Sequence, residues 1–172
     1  MSEATATPTL AGAQRALEML ANLVIHVAVV ALLGLVVVQG WQVFARYVIN
    51  DSPSWTEPVT LLLLSTAMSM GAAAGVHTNR HFGFFLLADH LNPQVKRVVD
   101  ALVPLVVASI GAVIAWWGWL LWLDGLHIKA AGAELPQSVN YLPLSIGGAL
   151  MVVFALNRAV QALRPAAAEG DR

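Results

Sequence analysis

Cysteine is absent from the 172 residues, which excludes disulfides, thiolate metal sites and thiol catalysis. Charge is scarce: Asp, Glu, Lys and Arg together make up 11% of the chain, against about a quarter in soluble domains. What charge there is nearly cancels, leaving a net of −1, so no basic or acidic excess points to nucleic acid. None of these residues sits in the middle of a long apolar run. Ionisable groups inside a span are the usual mark of an ion or proton path, and their absence argues that this chain does not itself conduct or couple ions. No internal repeat is visible either, so the inverted-repeat signature of a complete transporter is missing.

What is present is apolar surface. Hydrophobic residues make up 58% of the chain, more than a soluble fold of this size can hide, whereas lipid is itself an apolar solvent. The charged residues divide the sequence into four uncharged runs of 27, 22, 23 and 23 residues: 19–45, 58–79, 101–123 and 135–157. A helix needs about 20 apolar residues to cross a hydrocarbon core of about 30 Å, so the expected fold is all-α, an integral membrane protein with four transmembrane helices over those runs. The membrane domain is expected over 15–163, between disordered tails at 1–14 and 164–172. The first apolar run is too long for a cleaved signal peptide and is read as a retained helix.

Local signals mark the helix ends. Ser54 and Glu57 stand in a capping-box pattern ahead of the second run, with Pro58 in the first turn, where a missing N–H costs little. Asn92-Pro93 forms a cap and first-turn pair before the third. Pro136 and Pro143 bracket the entry to the fourth, and Pro104 and Pro143 are candidate kinks. Residues 81–91 are too short to span, and their apolar positions recur every three or four residues. They predict an amphipathic helix lying on the cytoplasmic interface.

Lys and Arg set the orientation. The first and third loops carry one each, Arg46 and Lys129. The second loop carries Arg80, Lys96 and Arg97, and the terminal segments carry Arg15, Arg158, Arg164 and Arg172. Both termini are therefore expected in the cytoplasm, with Trp41, Tyr47, Trp55, Trp117, Trp119, Trp122 and Tyr141 forming an aromatic belt at the opposite interface.

Few residues suggest chemistry. His26 lies well inside a span, and with His77 in the same leaflet it raises the possibility of a haem pair. Runs three and four offer no further core histidine, and an interhelical hydrogen bond is the simpler reading. Ala67, Gly71 and Gly75 form a small-residue stripe that lets helices approach closely, within this chain or against another subunit. Trp55 and Glu57 are candidate docking residues on the outer side, with Arg46 nearby. No catalytic constellation, metal-ligand cluster or cofactor site is read from the sequence, and the chain is not expected to be an enzyme.

Three stretches carry a resemblance. Arg46-Tyr47 is followed by Ser54-Trp55-Thr56-Glu57 entering the second helix. Gly71 leads to Asn79-Arg80-His81. Leu135-Pro136 leads to Tyr141-Leu142-Pro143-Leu144-Ser145-Ile146-Gly147 entering the fourth. In this order and spacing, with four helices, the chain resembles the small membrane subunit of tripartite ATP-independent periplasmic (TRAP) transporters, the DctQ-like family. Pro58 stands where the family often has a second acidic residue. The resemblance marks His81, Pro136, Tyr141, Pro143 and Gly147 as structural matches, and it runs through Arg46, Trp55 and Glu57, the candidate docking residues, of which Glu57 has helix capping as its alternative role. It implies a bacterial inner-membrane scaffold in the lipid bilayer. Its partners would be a large elevator-type, sodium-coupled membrane subunit and a periplasmic substrate-binding protein delivering an organic anion, such as a dicarboxylate or sialic acid. Two alternatives stand beside it: a haem b-binding membrane anchor of a redox enzyme, and a self-assembling small exporter, which should carry a charge inside a helix.

Overall fold

In the computed structural model, the described residues are 8–51, 53–78 and 93–163. Four long α-helices account for most of them: α1 (Pro8–Phe44), α2 (Thr56–Thr78), α3 (Pro93–Asp124) and α4 (Leu142–Leu163). Each is long and apolar enough to span a membrane, so the protein is the all-helical, four-span membrane protein that the uncharged runs predict. His81 and the expected interfacial helix at 81–91 lie outside the described residues.

The helix boundaries depart from the uncharged runs in ways that local chemistry explains. α1 starts at Pro8, not at residue 19. Pro8 suits the first helical position, where no N–H is needed, and the Ala- and Leu-rich segment behind it favours a helix. Residues 8–14, expected as tail, are therefore helical. At the other end, α1 runs into a five-residue π-turn, Ala45–Ile49, closed by Asn50 in the left-handed conformation (φ 57°). The expected capping box at α2 is not formed. Instead the Thr56 hydroxyl donates to the Pro53 carbonyl at 2.7 Å, and the Trp55 carbonyl accepts from the Val59 N–H. Pro143 falls in the first turn of α4, where it costs no hydrogen bond and causes no kink, while α3 continues through Pro104.

Extensive packing links α1 to α2, α2 to α4 and α4 to α3 among the described residues. A closed four-helix bundle would have a fourth such pair. The helices instead form an open row, α1–α2–α4–α3, with α1 and α3 at its two ends. In α1 the covered positions include Gln14, Leu17, Ala21, Val24, Ala28, Ala31, Leu35, Val38 and Gln42, and Ala45 of the π-turn continues the series. Their alternating steps of three and four are those of a coiled-coil seam, here turned toward α2. α3 repeats the pattern against α4 with Pro104, Ala108, Gly111, Ala115, Gly118 and Trp122, and Gly125 just past its end continues it.

Small residues set the closeness of these crossings. A Cβ at Gly111 would come within 3.0 Å of the Gly148 carbonyl, and one at Gly118 within 2.9 Å of the Ser145 backbone nitrogen. The Ser145 hydroxyl donates to the Ala115 carbonyl at 3.2 Å. Between α2 and α4, a Cβ at Gly147 would lie 2.6 Å from Ser69 Cβ. In lipid the tails are as apolar as the side chains, so helices associate through such van der Waals contact and hydrogen bonds. The buried core joins Ala21 and Val24 of α1, Met70 and Ala73 of α2, Val107 of α3, and Phe154 and Ala155 of α4.

Gln14 of α1 ties the start of the chain to the end of α4. Its amide donates to Asn157 Oδ1 at 3.1 Å, and its carbonyl accepts from Gln161 Nε2 at 3.1 Å. Arg158 Nη1 reaches the Val76 carbonyl near the end of α2 at 3.2 Å, satisfying a group that helix ends leave open. This end of the row is called the terminal side, and the other the loop side.

Candidate functional site

The loop side is built from two connections. The α1–α2 connection carries the π-turn with exposed Arg46 and Tyr47, then exposed Trp55 and Glu57. The α3–α4 connection folds into a hairpin. Ala130 N–H donates to the Leu135 carbonyl and Gln137 N–H to the Ile128 carbonyl, each at 2.8 Å, pairing Lys129 with Pro136. Pro136 then leads into the 3₁₀ turn Gln137–Asn140. Gly132, at the hairpin tip, has φ +84°, and a Cβ there would collide with the Ser54 carbonyl oxygen. Only glycine combines that conformation with that approach, so the hairpin tip rests on the chain just before α2. Gly125 similarly sits against Ser138. Tyr141 braces the far end: its hydroxyl accepts from Gln137 Nε2 at 3.2 Å, and its carbonyl accepts from Ser145 N–H at 3.1 Å.

These contacts leave a cleft of about 250 Å³ between the start of α2 and the hairpin, lined by Glu57, Pro58, Leu61, Lys129, Ala130, Ala131, Gln137 and Asn140. Of the expected docking residues, Glu57 lines it, Trp55 lies two residues away and 46% exposed, and Arg46 stands on the separate π-turn. Gln137 and Asn140 were not singled out from the sequence, and Lys129 entered only as a loop charge that sets orientation. Nothing in a short polar loop announces a hairpin except the lone Gly132. All six tryptophans lie in the loop-side half of the helices or just beyond it, and Trp119 and Trp122 stack at 4.7 Å.

The small-residue stripe has a different surrounding from the other glycines. A Cβ at Gly71 would meet nothing within 4 Å. Gly71 and Gly75 line an open groove of about 600 Å³ with Ile25, Ala28, Val29, Ala74 and Thr78. No helix among the described residues fills it. Gly147, a match taken from the family resemblance, does have a clear packing role at the α2–α4 crossing, and Pro143 is buried at the start of the same helix.

The two histidines are engaged separately. His26 is exposed on α1, with Nδ1 2.6 Å from the Asn22 carbonyl oxygen. His77 sits against Phe154, ring centroids 5.1 Å apart. Among the described residues no three of His, Cys, Asp and Glu come together as a metal site.

Four apolar spans in an open row, with a braced loop face at one end, define a multi-pass membrane protein. The family comparison agrees. Residues 35–165 match the model of the tripartite ATP-independent periplasmic transporters, DctQ component. That match covers most of the chain, and the protein belongs to this family. It is a transporter component and not an enzyme. A comparison with curated proteins found no match.

Proposed function

We propose that this chain is the membrane-fixed scaffold of a sodium-coupled importer of an organic anion. A large elevator-type subunit would pack along its helix row, and a periplasmic binding protein would be received on its loop side. One observation carries the reading: the open row leaves most of each span uncovered. Between 17% and 28% of the residues in each span's most apolar window are buried, which leaves broad apolar faces for lipid and a further subunit to cover. The α1–α2 groove at Gly71 offers a backbone-deep seat for a further helix. The absence of charge within the spans, read from the sequence, leaves ion and substrate passage to the larger subunit. The Lys and Arg distribution supports an orientation with the terminal side in the cytoplasm, and in that orientation Glu57 and the hairpin would face the periplasm.

Co-purification tests the scaffold role. The tagged small subunit should retain the large subunit through detergent extraction and gel filtration, and a bulky side chain at Gly71 should reduce the yield. Quantitative recovery of the large subunit alone, fully active, would refute it.

A further inference from the structure

The outer face of α1, turned away from the seam with α2, carries polar groups that the chain itself leaves unused. Arg15, Glu18, Asn22 and His26 follow one another at steps of three or four and are all exposed, so they form one stripe along the helix. His26 Nδ1 lies 2.6 Å from the Asn22 carbonyl oxygen. That oxygen can only accept, so Nδ1 carries the proton. The ring is thereby drawn back one turn to the level of Asn22, and Nε2 is left as the acceptor of a neutral imidazole. Neither Nε2 nor the Asn22 side-chain amide has a partner among the described residues, and Arg15 and Glu18 make no ion pair there. With the uncharged run 19–45 centred in the bilayer and about 1.5 Å per residue, Asn22 sits at the edge of a hydrocarbon core about 30 Å thick, and His26 lies about 6 Å inside it. The stripe begins among lipid headgroups and continues where headgroups do not reach. A polar side chain left facing acyl chains is costly, and such groups are normally paired.

We infer that this face of α1 is a contact with a second copy of the chain, parallel to the first and related to it by a two-fold axis along the membrane normal. Copies inserted in the same orientation meet at equal depths, and a two-fold contact needs a face complementary to itself. The stripe has that property. Asn22 supplies a donor and His26 an acceptor at one level, so the Asn22 amide of each copy donates to His26 Nε2 of the other. Arg15 and Glu18 carry opposite charges about 4.5 Å apart along the helix, so they too pair reciprocally, in the headgroup region. The face continues with Leu33 and Val36, 61% and 63% exposed, and with Gly40, where a Cβ would meet nothing within 4 Å and two helices can cross closely. A lipid headgroup satisfies Arg15 and Glu18 but leaves His26 bare. The contact joins two complexes through their small subunits, which goes beyond the scaffold reading, since that reading needs only one copy.

The test uses cells that express the small and large subunits together, with two differently tagged copies of the small subunit and the photo-reactive p-benzoylphenylalanine in place of Leu33. Irradiation is expected to give an adduct holding both tags, and the same replacement at Val27, exposed on another face of α1, should not. Asn22→Leu removes both donors and should lower the adduct about eightfold, the worth of two interhelical hydrogen bonds of average strength in lipid. Asn22→Gln keeps the donor and should retain most of it. The Asn22 side chain makes no bond within the chain, so both variants should still co-purify with the large subunit. A Leu33 adduct with the large subunit, or with lipid alone, would overturn the inference. So would loss of the large subunit from Asn22→Leu, or a two-copy adduct that is indifferent to Asn22→Leu or equally strong from Val27. Each of these leaves the scaffold role standing, which fails separately if uptake is full without the small subunit.

Discussion

Gly147→Ala adds one methyl group at the tight crossing of α2 and α4. The new Cβ would lie 2.6 Å from Ser69 Cβ and 2.9 Å from the Ser69 backbone carbon and oxygen. Carbon atoms rest at about 3.5–4.0 Å, so α2 and α4 must separate by about 1 Å at this point. A gap of that size forfeits a quarter to a half of each dispersion contact along the crossing, and overpacking of this kind costs about 1–3 kcal/mol. The loss should be large relative to the remaining packing, because α2 and α4 join the two halves of the row. The measurement is thermal unfolding of the purified chain in detergent, where Gly147→Ala should melt several degrees lower. Gly71→Ala serves as the control and should not shift the melt, since nothing lies within 4 Å of its added Cβ. Ser69→Gly in the Gly147→Ala background should recover part of the loss. It removes the nearest atom, while the backbone contacts at 2.9 Å remain. An unshifted Gly147→Ala, or an equal loss for Gly71→Ala, would refute the assignment of the tight crossing.

Three further outcomes follow from the same contacts. Gly71→Leu should leave the melting temperature of the isolated chain unchanged yet lower the yield of complex with the large subunit, as seen by gel filtration. Gly132→Ala puts a side chain on the Ser54 carbonyl at a positive φ, and the hairpin should become sensitive to added protease while the spans stay folded; strain of this kind costs about 1–3 kcal/mol. Gln14→Leu removes both bonds to α4. A double-mutant cycle with Asn157→Leu should return a coupling of about 0.6 kcal/mol, the average for polar contacts between membrane helices, and additive losses would show that the pair does not interact.

The four spans were legible because charge is excluded from lipid, so Glu18, Arg46, Glu57, Arg80, Asp100, Asp124, Glu134 and Arg158 bound them almost without ambiguity. The order of the helices in the row was not. In a soluble protein the seam Leu17, Ala21, Val24, Ala28 would stand out against polar neighbours. Here Leu23, Val30 and Val37 on the uncovered face are equally apolar, so periodicity carries little contrast. Glycine signals were likewise ambiguous. Gly71 and Gly75 at a four-residue step looked like the packing motif, whereas the tight crossings use Gly111, Gly118 and Gly125 at seven-residue steps, together with Gly147 and Gly148. Spacing identifies a smooth face but not what lies against it. Around the cleft, Trp55 and Glu57 were readable from their place at a helix entry. Lys129, Gln137 and Asn140 become neighbours of Glu57 only once the hairpin has folded back onto Ser54, a contact some 80 residues apart in sequence that no local pattern encodes.

Reconstituted uptake distinguishes a scaffold from a self-sufficient carrier. Liposomes are loaded to impose a sodium gradient, and labelled acid anions such as C4-dicarboxylates and sialic acid are supplied outside with the binding protein. Uptake is expected when both membrane subunits are present, and none from this chain alone or from the large subunit and binding protein without it. Sodium-driven uptake by this chain alone, or full uptake in its absence, would contradict the scaffold role.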